Sequence, residues 1–160
     1  MPFHERLILI GACEADAIVL AVPSKGQPFL NPEETWIFTR YQLRVSNVLK
    51  SDDGHLVAGN ALVYVHPSGE TTLRAQKIST EVTNYPLLRL GNEYLFFVRR
   101  IERTGHYRAV IGVPVFEGID MLRAHAGAGA QVPKRLEEGL RREAVLSTIS
   151  AAQCPEDRRR

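Results

Sequence analysis

The sequence contains no apolar run approaching the roughly 20 residues that span a bilayer. The longest near its start, Leu7 to Ala12, is also too short for the core of a signal peptide. Neither a membrane span nor an export signal is therefore expected in the chain as written, although a leader removed in processing leaves no trace. Charge of one sign is scarce too: 20 Lys and Arg against 18 Asp and Glu give a formal net charge of +2. So even a balance offers little pull on a polyanion, which makes nucleic acid an unfavoured partner. Part of the basic excess lies in Arg158 to Arg160, and residues 153–160 read as a disordered basic tail. Cysteine is sparse, with 2 in the chain, at positions 13 and 154. A bond between them would close a very long loop, but spacing cannot show that they meet, and two free thiols are the expectation.

Catalytic signatures are missing as well. There is no Gly-x-Ser-x-Gly elbow, and Ser68 between Pro67 and Gly69 reads as a turn residue. Cys13 is expected to be buried and inert rather than a thiolate nucleophile. Asp52 and Asp53 stand beside Gly54 as turn formers rather than an acid–base pair. The 5 histidines, at positions 4, 55, 66, 106 and 125, have no zinc-motif spacing. His66 on a strand and His106 beside a turn are expected at the surface or rim. Gly127 and Gly129 lack both the third glycine and the leading strand of a dinucleotide fingerprint. No metal, no cofactor and no catalytic residue is expected, and the chain reads as a non-enzyme.

What is present is strand patterning. From Thr35 to Lys50, Ile37, Thr39, Tyr41, Leu43 and Val45 fall on one face, and Trp36, Phe38, Arg40, Gln42 and Arg44 on the other. A strand so long must bend or coil, which favours a small barrel over a flat sheet. Before it, Pro2 to Glu14 reads as a helix, Asp16 to Val22 as a doubly buried strand, and Pro23 to Glu34 as a loop. After it, Asn60 to His66 is a strand with Glu70 to Ile78 as its hairpin partner. Glu93 to Ile101 is another doubly buried strand, and it turns at Gly105 into Tyr107 to Val113. Ala124 to Ala130 is a low-complexity loop, and Pro133 to about Ala151 is helical. The expected fold is mainly β: a five-stranded antiparallel barrel with an N-terminal and a C-terminal helix, in one domain over residues 1–152.

Several of these pieces together resemble the netrin-like domain found in tissue inhibitors of metalloproteinases, and similar bacterial proteins of unknown function. Cys13, then Asp16 and the run Ile18 to Val22 match the family's first strand. Tyr41, Leu43, Val45, Val48, Leu49 and Lys50 match its long strand, and Gly91-Asn92-Glu93-Tyr94-Leu95 its Gly-x-x-Tyr-Leu strand. Gly105 to Val113 resembles the turn into its last barrel strand. The resemblance covers roughly Ala12 to Val115. It implies an oligonucleotide/oligosaccharide-binding (OB) type barrel and an extracytoplasmic setting. It does not carry over the inhibitors' activity, because the Cys-x-Cys that chelates zinc is absent from the start, Met1-Pro2-Phe3. Ser51 also replaces the Gly that commonly follows the Lys. The disulfide partner that the family implies for Cys13 would fall near Gly112 or Val113, where there is no Cys.

The outward side of the long strand supplies the candidate binding residues: Trp36, Phe38, Arg40 and Arg44. Flat rings and planar cations suit stacking on a partner. The plainer alternative is that the chain termini or the C-terminal helix cover Trp36 and Phe38. The expected function is a non-catalytic module that engages a protein or peptide through this surface and the Gly26 to Glu34 loop. Two alternatives stay open: a single-stranded nucleic-acid binder, and a metalloprotein or enzyme whose site assembles only in the fold.

Overall fold

The computed structural model describes residues 3–52, 54, 56–83, 85–117 and 142–154. Helix α1 (Phe3–Glu14) leads into β1 (Ala17–Leu30), β2 (Ile37–Ser51), β3 (Ala61–His66), β4 (Gly69–Leu73) and β5 (Gln76–Thr80). Then follow β6 (Tyr94–Arg100), β7 (Tyr107–Ala109), β8 (Phe116–Glu117) and helix α2 (Arg142–Ser150). Strands pair in the order β1-β2-β3-β7-β6, and β6 pairs back with β1, so five strands close a barrel. β8 extends the sheet along β6, and β4 with β5 forms a separate hairpin. The Ala124 to Ala130 loop and the helical expectation before residue 142 lie outside the described residues.

The alternation seen in the sequence is what closes the barrel. Ile37, Thr39, Tyr41, Leu43 and Val45 are all buried, while Arg40, Gln42, Arg44 and Ser46 between them are exposed. Their inward faces meet those of Val19, Tyr64, Phe96, Val98 and Tyr107, which fill the interior. β6 and the first part of β1, Ala17 to Ala21, are buried on both faces, which explains their unbroken apolar runs. Outside them Ile18, Leu20, Leu95 and Phe97 pack under Ile8 of α1 and Ile149 of α2. Gly11 allows this approach, since a Cβ there would lie 2.6 Å from the Phe97 ring. Register shifts at Ile18/Val19, Leu20/Ala21 and Pro23/Lys25 supply the bends that curl β1 around the barrel.

Four sequence expectations need correction. The barrel is mixed rather than antiparallel: β3 and β7 run parallel, with Tyr64 opposite Tyr107. The β4–β5 hairpin and β6 intervene, so the chain returns to β3 in the same direction. Second, the hairpin forms within Gly69 to Thr80, and β4 does not pair with β3. Third, Pro23 to Leu30 is not a loop but the outer half of β1, in register with β2 from Pro23↔Leu43 to Leu30↔Ile37. β6 pairs with β1 only as far as Ala21, so Pro23 and Pro28 sit on an edge where a missing N–H costs nothing. Fourth, Cys13 and Cys154 are joined, with Cα atoms 5.3 Å apart. Cys154, assigned above to the tail, is thus tied to the end of α1.

The end of α1 is fastened from the barrel as well. Lys50 Nζ donates to the Ala12 and Ala15 carbonyls at 3.1 and 2.7 Å, capping that helix end with a cation. Asp16 accepts from the Arg100 amide at 2.8 Å and so pins the end of β6 to the start of β1. The hairpin is held to β2 by Thr80, whose Oγ1 donates to the Ile37 carbonyl and accepts from the Ile37 amide. At its base, a Cβ on Gly69 would lie 2.6 Å from Ile37 Cγ2 and 2.8 Å from the Phe38 carbonyl oxygen. Backbone atoms there cannot give way. Gly69→Ala is expected to cost about 2 kcal/mol, read as a lower urea midpoint at unchanged slope. An unchanged midpoint would mean that the hairpin does not lie tight on β2.

Candidate functional site

The barrel interior is occupied by side chains, so the candidate site lies outside. A groove of about 560 Å³ runs across the outer faces of β2, β3 and β7, lined by Phe38, Val65, Pro67, Val82, Tyr85 and Ile101 with Arg108, Ile111 and neighbours. Alternation places Phe38, Val65 and Arg108 outward, opposite the inward set of Tyr41, Tyr64 and Tyr107. Arg108 is the single charged side chain among the described residues that line it. Ile111 is 85% exposed, an unusual state for a large aliphatic side chain beside such a groove.

The four sequence candidates divide. Phe38 lines the groove and stacks on Phe29 with ring centroids 5.6 Å apart. Arg40 lies over the Phe29 ring, 4.6 Å from its centroid. Trp36 is half-buried and structural, because its indole N–H donates to the Pro67 carbonyl at 2.6 Å and holds the groove rim. Arg44 is exposed further along β2, opposite Val22 and Ala61, away from the groove. Among the described residues, Ile8 of α1 and Ile149 of α2 pack over β1 and β6 rather than against Phe38. The outer cover of Phe38 is Phe29, which lies on the segment read from the sequence as a loop. Asn31 to Glu34 remain a turn, organised by Asn31 Oδ1, which accepts from the amides of Thr35 and Trp36 at 2.8 and 2.9 Å.

His66, expected at the surface, is fully buried and positions the far wall of the groove. Its Nε2 faces the carbonyls of Pro86 at 2.8 Å and Tyr85 at 3.2 Å, so that nitrogen carries the proton. Nδ1 then accepts from the Tyr64 hydroxyl at 2.9 Å. Burial, outweighing the two carbonyl contacts, pushes the His66 pKa down to about 4. The surrounding phenols are pushed the other way by burial: Tyr64 well above its usual value, Tyr41 above it, and Tyr85 up to about 12. The Tyr85 hydroxyl reaches the carbonyls of Val110 at 2.9 Å and Val113 at 2.6 Å, tying the strand-end segment with Ile111 to the same wall. All these groups stay neutral near pH 7. They hold a shape rather than transfer protons.

Two further hollows occur. One of about 540 Å³ surrounds the disulfide, with Asp16, Lys50, Asp52 and Arg99 on its lining; its Lys50 and Asp16 are engaged in the fastening contacts described above. The other, about 330 Å³, is bounded by Gln42, Val63, His106 and Tyr107. Ser68, buried, accepts from the Val82 amide at 2.9 Å, a structural task. Among the described residues no three His, Cys, Asp or Glu side chains converge, and no helix is long and apolar enough to cross a membrane.

Of the residues that alternation on β2 singles out, Phe38 lines the groove, whereas Val65, Val82, Tyr85 and Ile111 on its lining carry no such local signal. These come from three separate segments, and nothing in their local pattern marks the three as neighbours. Compared with known proteins, the chain matches no family model, and no curated protein matches it in sequence.

Proposed function

We propose that the chain is a netrin-like barrel of OB type that acts as a non-catalytic binding module, taking a protein or peptide partner on the outer faces of β2, β3 and β7. The observation that carries this reading is a filled interior beneath an open apolar groove: Tyr64 and Phe96 have no exposure at all, while Ile111 stands in solvent. The OB assignment is supported by the closure order, in which β1 meets both β2 and β6 and β3 meets β7 in parallel. The netrin-like resemblance is supported by Asp16, whose carboxylate ties β6 to the start of β1. A disulfide suits an oxidising compartment, in keeping with an extracytoplasmic setting.

Selection of a displayed random-peptide library on the immobilised chain tests the reading. Enriched peptides are expected to lose at least tenfold in affinity to F38A and to keep it with K77A, a change on the exposed hairpin. Peptides that bind F38A as well as the parent, or a selection that enriches nothing, would refute it.

A further inference from the structure

The charges of the barrel are segregated by element. Its five closing strands carry seven basic side chains and no carboxylate, so all 18 Asp and Glu belong to other parts of the sequence. Lys25, Arg40, Arg44 and Arg108 stand on the outward side of β1, β2 and β7. Among the described residues no carboxylate pairs with any of these four. The near-zero net charge therefore conceals barrel strands whose own charged side chains, among Lys, Arg, Asp and Glu, are all cationic, beside an apolar groove.

We propose that the groove receives an acidic segment of a partner protein, with an aliphatic side chain seated against Val65 and Ile111 and flanking carboxylates meeting Arg108 and Arg40. This rests on the binding-module reading and adds the chemistry of the occupant. Arg108 uses Nη1 for the Ala109 carbonyl at 3.3 Å, and its remaining guanidinium donors are suited to a carboxylate. The lining favours an aliphatic guest over a nucleobase. Val65, Val82, Ile101 and Ile111 are branched rather than planar. The Phe29 ring, which could stack on a base, is already engaged by Phe38 and by Arg40.

Fluorescence polarisation with two labelled peptides tests this, a Leu-Ile pair flanked by glutamates in one and by lysines in the other. The full chain is expected to bind the glutamate peptide, more weakly as salt rises, and to bind the lysine peptide at least tenfold less well. R108E and I111K are each expected to weaken the glutamate peptide about tenfold while leaving the melting temperature unchanged, because neither side chain is part of the core. Equal binding of both peptides, no binding of the glutamate peptide, or indifference to R108E and I111K would overturn the proposal. A labelled oligothymidylate that binds more tightly than either peptide would overturn it in favour of nucleic acid. A dimer in sedimentation that dissociates on I111K would overturn it in favour of a second copy of the chain. If library peptides depend on Phe38 yet carry no acidic residues, this proposal fails and the binding-module reading survives. Should they be indifferent to Phe38, both fail.

Discussion

Replacing Cys13 and Cys154 by serine together lowers the melting temperature by about 10–20 °C. The bond joins residues separated by 141 positions, so it removes more loop entropy from the unfolded chain than any short crosslink does. The entropy model puts that at about 5 kcal/mol, and a domain of this size shifts by about 2–4 °C per kcal/mol. The loss should fall first on the cluster in which Ile149 meets Ile8 and Phe97, because the bond holds the end of α2 against α1. Differential scanning calorimetry of the parent and C13S/C154S, each with and without reductant, measures it. Reductant should bring the parent down to the variant and leave the variant unmoved. A shift below about 3 °C would show that the cross-link contributes little to the folded state.

Acid destabilises the protein through His66. Its folded pKa, about 4, lies below the ordinary value of 6.5, so the unfolded chain takes up a proton that the folded one refuses. Stability is therefore fully present above pH 6.5 and falls as pH drops through the interval down to 4. The integrated loss is about 3 kcal/mol, at 1.36 kcal/mol for each unit. Urea unfolding at pH 7 and pH 4 measures it, with H66Q as the control: its amide can donate to the Pro86 carbonyl but does not titrate. H66Q should be less stable than the parent at pH 7 and lose about 3 kcal/mol less on acidification. Parallel pH profiles would refute this. Because His66 also fixes Tyr85 and Pro86, the groove wall should loosen over the same pH interval.

The sequence displays what depends on periodicity. β2 alternates over its whole inner half, and β1 and β6 show continuous apolar runs because helices cover their outer faces. β2, β6 and the first half of β1 were legible because the environment follows a simple local rule, alternating in β2 and uniformly apolar in the other two. Other features depend on partners distant in the chain. Pro23 and Pro28 look like loop formers until the neighbouring edge is known to be open. His66 looks like a surface residue until carbonyls 19 and 20 positions later are found against its ring. Nothing local sets β3 parallel to β7 or places Cys154 beside Cys13. The site was half legible for the same reason: Phe38 and Arg40 sit on the readable strand, whereas Val82 and Ile111 reach the groove only after the barrel has closed.

The order of the elements also constrains how the chain can mature during synthesis. β1 emerges early, but its second neighbour, β6, follows only after the long strand, β3 and the hairpin, with Ala17 waiting for Val98. The ring is not complete until β7 has left the ribosome. Cys154 emerges later still, so the intramolecular partner of Cys13 arrives only after every barrel strand has been made. The bond can therefore form only once the whole barrel sequence exists, which leaves it no part in the pairing of the first strands.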